Sequence, residues 1–108
     1  MRLLVLVAGM TLLPGDTGDD WPENTGSTEA AQAAGTDFAD DMATFYHDVP
    51  RDLAEEASRR SRHQAGRPGR DPWPLDAWPD VPTRYLLCTE DRFFPAAWMR
   101  GVVLDRLG

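Results

Sequence analysis

The feature that most constrains this 108-residue chain is the placement of its apolar residues. They cluster at the two ends, in residues 3–7 and 85–107, each cluster opening with a short unbroken run (3–7 and 85–88), while the middle is more polar and rich in Gly, Pro and Asp. Runs that do not alternate apolar with polar fit parallel strands covered on both faces. A parallel pair cannot be closed by a tight turn and needs a long crossover, which the middle of the chain supplies. The pattern therefore predicts an α/β fold in which two parallel strands are joined by a mostly helical connection and followed by a C-terminal helix. Two such strands do not make a stable sheet alone, because each expects neighbours on its edges and helices on both faces. The sequence is expected to be an incomplete domain, open to self-association through exposed strand edges or, as an alternative reading, a non-catalytic partner whose sheet another chain completes.

The start of the chain has a second reading. One positive charge at Arg2 followed by an apolar stretch is also how a secretory signal begins. That alternative makes the protein a small secreted binding module. Against it, Pro14, Gly15 and Asp16 follow with no small-x-small cleavage site nearby, and the stretch is shorter than the roughly 20 apolar residues a spanning helix needs. The strand reading is preferred. A single cysteine, Cys88, lies in the second apolar run and is expected to be a buried, reduced thiol, which favours the cytoplasm.

Between the strands, the Gly, Pro, Asp and Asn content of residues 14–26 predicts a loop. Thr36 or Asp37 is placed to cap a helix whose Phe38, Met42, Phe45 and Tyr46 share one face, ending near Pro50. Pro50 can open a second helix through about residue 64, with Glu55–Arg59 and Glu56–Arg60 pairs and a thin stripe of Leu53, Ala54 and Ala57. Residues 65–82 hold five prolines and two tryptophans and should be largely irregular. Residues 84–89 predict the second strand. Pro95 opens a last helix with a broad apolar face of Trp98, Met99, Val102, Val103 and Leu107, interrupted by Gly101.

A net charge of −7 opposes binding to nucleic acid or an anionic membrane, since both depend on Lys and Arg meeting phosphates. Two histidines and one cysteine, widely spaced, give no zinc pattern, and no cofactor is expected.

The segment Leu86-Leu87-Cys88-Thr89-Glu90-Asp91, followed by Pro95 and Trp98, resembles the acid-bearing strand and turn of α/β-hydrolases. The nearest likeness is to small esterases related to plant methyl esterases and hydroxynitrile lyases. Leu13-Pro14-Gly15-Asp16, Phe45-Tyr46-His47-Asp48-Val49-Pro50 and Trp78-Pro79-Asp80-Val81-Pro82 are similar to that family's entry into, passage through and exit from its lid. The resemblance implies the C-terminal half of a hydrolase domain: residues 1–13 the first strand and the start of its loop, 14–82 a lid, and 83–108 the acid-bearing strand and following helix. It also implies a small ester as substrate and Asp91 as the triad acid. Without the resemblance, Glu90 and Asp91 are ordinary acidic residues of a strand-to-helix turn.

Triad chemistry further needs a serine on a Gly-x-Ser-x-Gly elbow and a histidine after the acid. Ser27, Ser58 and Ser61 lie in no such elbow, and both His47 and His63 precede Asp91. His47 beside Asp48 mimics a dyad, but a surface pair in the lid is the simpler reading. The tryptophans and Phe93-Phe94 either fill the core or, in the case of Trp73, Trp78 and Phe93, line an apolar substrate pocket. The chain alone is expected to lack triad-dependent activity.

Overall fold

In a computed structural model covering residues 1–108, β1 (Leu4–Val7) and β2 (Thr83–Leu86) pair in parallel, with Leu4 opposite Thr83 and Val7 opposite Leu86. The connection holds five short helices: α1 (Trp21–Thr25), α2 (Ser27–Ala33), α3 (Asp41–Phe45), α4 (Arg51–Arg59) and α5 (Arg67–Arg70). The longest helix, α6 (Ala96–Leu107), follows β2. The two strands, the crossover and the Pro95-opened final helix agree with the sequence pattern.

Cover on the sheet is one-sided. Leu4, Leu6, Thr83 and Tyr85 are half-buried, while Val5, Val7 and Leu86 face solvent, Val7 being 63% exposed. The expectation of strands covered on both faces is thus corrected: an alternate face of each strand has nothing against it. With seven buried residues in the chain and a radius of gyration of 15.3 Å, against about 13 Å for a compact domain of this length, the packing is open.

The core lies beside the sheet and is centred on Trp21, which is fully buried. Its ring meets Phe94 and Trp98 edge-on at 5.1 and 5.8 Å between centroids, and its Nε1 donates to the Thr11 carbonyl at 3.2 Å. Aromatic pairs in this geometry add about 0.5–1.5 kcal/mol each beyond the area they bury. Residues 14–26, expected as loop, therefore contain a helix. Its single turn, with Pro22 in the first turn and a left-handed Gly26 (φ 74°) closing it, is held by the burial of Trp21, because one turn is not stable by propensity.

Other boundaries also shift. Asp40, not Thr36 or Asp37, caps α3: its Oδ1 accepts from Ala43 N at 2.9 Å. Asp37 instead binds Ala39 N, and the Thr36 hydroxyl donates to the Arg92 carbonyl, so both are drawn into competing local and long-range bonds. α3 ends at Phe45, which leaves residues 46–50 outside any helix. α4 stops at Arg59 rather than near residue 64, since residues 61–64 offer nothing apolar to bury; only Ala54 of its stripe is buried. Glu56 pairs with Arg60 as expected, whereas Glu55 pairs with Arg51 and not Arg59. β2 ends at Leu86, three residues early, and Cys88 is exposed rather than buried because it lies beyond the strand on an open turn.

One ion pair joins the two ends of the chain. Arg106 of α6 donates from Nη1 to Asp16 Oδ2 at 2.6 Å and to the Thr11 carbonyl at 2.9 Å. Asp16 also accepts from Leu13 N and Asn24 Nδ2. Both side chains are largely buried, at 9% and 15% exposure. Burial pushes the Asp16 carboxyl up, but the Leu13 N–H, the Arg106 hydrogen bond and the Arg106 charge outweigh it and hold the group below its ordinary value of 3.8.

Three outcomes are expected. Gly101 lies in α6 with open space where a Cβ would stand, so Gly101→Ala should raise stability by about 0.5–1 kcal/mol in urea unfolding. Arg106→Met should cost on the order of 3 kcal/mol, since it strands a buried carboxylate. The Asp16 contribution is present above the ordinary value of 3.8 and is lost as pH falls from there through the lower folded-state value. Between pH 5 and 3 the wild-type protein should therefore lose more stability than Asp16→Asn.

Candidate functional site

β1 and β2 both point their C-terminal ends at one open cleft of about 510 Å³. Open parallel sheets place ligands at this position, where strand ends and the loops that follow leave a crevice. The cleft receives Ala8 from the end of β1, the turn 88–94 after β2, and Thr44, Phe45, His47 and Asp48 at and beyond the end of α3. Ala8 has a left-handed φ of 46°, a conformation that costs a residue with a Cβ on the order of 1 kcal/mol, and it turns the chain sharply out of the sheet. Tyr85 secures the same corner, its hydroxyl donating to the Gly9 carbonyl at 2.8 Å. Burial, reinforced by the negative charge of Asp91, pushes the Tyr85 phenol up to about 12, so it stays a neutral donor at all ordinary pH.

Asp91 sits in the turn between β2 and α6 with one oxygen committed. Its Oδ1 accepts from the backbone N–H groups of Phe93 and Phe94 at 2.8 and 2.9 Å, while Oδ2 accepts nothing from the protein. A carboxylate pinned in this way presents its second oxygen in a fixed direction, which is what orienting an imidazole requires. Glu90, its neighbour, is exposed on the same cleft and makes no ion pair.

Of the residues singled out in the sequence, Asp91 and Phe93 come together here. Phe93 contacts Phe45 at 5.0 Å and Phe94 at 4.7 Å between centroids, forming the apolar wall of the cleft. Trp73 and Trp78 are elsewhere: they stack on each other at 4.6 Å, and Trp78 Nε1 donates to the Leu12 carbonyl at 2.8 Å. The structure thus ties this pair to the residues after β1, away from the cleft lining.

His47 and Asp48 also line the cleft, a placement that the helical reading of residues 36–49 obscured. Consecutive residues on a helix point apart, but α3 ends at Phe45 and the rule no longer applies. His47 Nε2 is 2.8 Å from the Glu90 carbonyl oxygen, a contact that ties residues 46–50 to the acid turn. It forms no hydrogen bond with Asp48 or Asp91, so no dyad exists. Arg92 makes a second tie, Nη1 donating to the Ala43 carbonyl at 3.0 Å. The aromatic-His-Asp sequence was the only signal for this half of the cleft, and its meaning depended on where a helix stopped.

A family profile described as the alpha/beta hydrolase family matches residues 1–107. The chain belongs to the alpha/beta hydrolase family. No curated protein and no solved structure matches it. Among the residues of this alpha/beta hydrolase family member, Ser27 is buried at the start of α2, Ser58 is exposed in the last turn of α4, and Ser61 and His63 are exposed beyond it. None of the serines lines the cleft. No group of histidine, cysteine and acidic side chains is arranged to hold a metal ion, and no helix is long and apolar enough to cross a membrane.

Asp91→Ala frees two backbone donors and should lower stability by about 1 kcal/mol, as for loss of a helix cap, with Asp91→Asn retaining most of it. Thermal unfolding of both variants measures the difference. Equal loss from both would mean that the carboxamide oxygen cannot replace Oδ1.

Proposed function

We propose that these 108 residues supply the acid and the lid of a serine hydrolase acting on small carboxylic esters, of the type related to plant methyl esterases and hydroxynitrile lyases. Asp91 is the triad acid, and residues 14–82 form the lid. The observation that carries this reading is the state of Asp91: it stands beyond the C-terminal end of a parallel strand, one oxygen fixed by two backbone N–H groups and the other free above an open cleft.

Asp91 Oδ2 would accept the N–H of a histidine, fixing its tautomer and stabilising the imidazolium formed when serine loses its proton. The wall made by Phe93 and Phe45 would receive the apolar part of the ester. The serine and the histidine must come from outside these residues, because no serine of the chain lies at the cleft and His47 is committed to the Glu90 carbonyl. Triad hydrolysis uses no cofactor. A cytoplasmic location agrees with a first strand that is paired in the sheet and a free thiol at Cys88.

Incubation of the chain with p-nitrophenyl acetate is expected to give no turnover sensitive to a serine-directed phosphonate. Turnover abolished by the phosphonate would overturn the proposal, since it would require a nucleophilic serine within these residues.

A further inference from the structure

A second cavity of about 490 Å³ adjoins the cleft, and His47 and Arg92 line both. Arg51 joins them from the start of α4. In a chain of net charge −7, two guanidinium groups and an imidazole thus border one recess. Its one acidic lining residue, Asp40, is occupied by capping α3 through Ala43 N. Arg92 uses Nη1 on the Ala43 carbonyl, which holds the guanidinium in place and leaves Nε and Nη2 as donors. Arg51 pairs at 2.9 Å with Glu55, an exposed contact of the kind that contributes little and yields to a better partner. The rest of the wall is apolar, chiefly Met42, Val49 and Ala54.

We propose that this recess binds the carboxylate of an organic acid with an apolar body. Arg51 and Arg92 hold the anion by charge-assisted hydrogen bonds, and Met42, Val49 and Ala54 cover the hydrocarbon. The assignment of that acid as the product of ester cleavage rests on the esterase reading; its binding to the recess does not. A carboxylate formed at the cleft would reach the recess past the two residues shared by both cavities, His47 and Arg92.

The test is an NMR titration of the isotope-labelled chain at constant ionic strength, following the arginine Nε–H signals and the Ala54 amide. Sodium hexanoate should bind saturably, with a dissociation constant on the order of 1 mM. Arg51→Gln should weaken it about tenfold and Arg51→Lys less; Arg51 is exposed and off the core, so both should fold. Methyl hexanoate, which lacks the charge, and inorganic phosphate, which lacks the hydrocarbon, should each bind at least about tenfold more weakly. Non-saturating shifts, indifference to Arg51→Gln, or equal binding of either control would overturn the assignment. Because the titration uses no serine or added ester hydrolysis, failure of the esterase reading would leave its outcome unchanged.

Discussion

The carbonyl oxygen of Thr11 is the point on which the rest of this structure depends. It accepts from the Trp21 indole and from the Arg106 guanidinium, and the same Arg106 grips Asp16. The residues leaving β1, the first helix of the connection and the last turn of the chain are joined there over a sequence separation of 95 residues. With so small a core, such polar ties matter more than they would in a well-filled domain. A buried ion pair is not inherently stabilising relative to apolar packing, but removing one member leaves a charge without a partner. The clamp thus acts mainly to specify which ends meet.

That specification positions the cleft. Trp21 packs on Phe94 and Trp98, so fixing Trp21 also fixes the start of α6 and the turn before it. The turn carries Asp91, whose Oδ1 is held by the backbone of the two phenylalanines. Tyr85, Ala8 and Gly9 set the other side. The acid is consequently placed by a chain of contacts that begins in the core, while its free oxygen faces open space. The uncovered valines of β1 and Leu86 of β2 tell the same story from the sheet: each is a residue suited to burial, left without a partner.

Much of this was legible in the sequence where the signal was local. The two unbroken apolar runs specified parallel strands, and Pro95 ahead of Trp98 and Met99 specified the last helix. The likeness to a family to which the chain belongs was legible too, and Asp91 stands, as its position after the second apolar run implied, in the turn beyond β2. The turn at residues 21–25 was not legible, because Trp-Pro-Glu-Asn-Thr has poor helix propensity and only burial of the indole sustains it. The position of His47 was hidden for a related reason: the apolar spacing of Phe38, Met42 and Phe45 suggested a helix through residue 49, whereas it ends at Phe45.

The sequence by itself determined the strands, the final helix, the place of Asp91 after the second strand and the absence of a serine elbow, since each follows from local chemistry or inventory. Only the tertiary structure decided that Asp16 meets Arg106, that Trp73 and Trp78 stack away from the cleft, and that Arg51, Arg92 and His47 surround one recess. The ion pair, the tie from Trp78 to Leu12 and the contact of His47 with the Glu90 carbonyl span 90, 66 and 43 residues, and hydrogen bonds at chain corners carry no periodic signature. The place of Asp91 was visible because strand and turn fix it locally; its surroundings were not, because distant segments of the chain supply them.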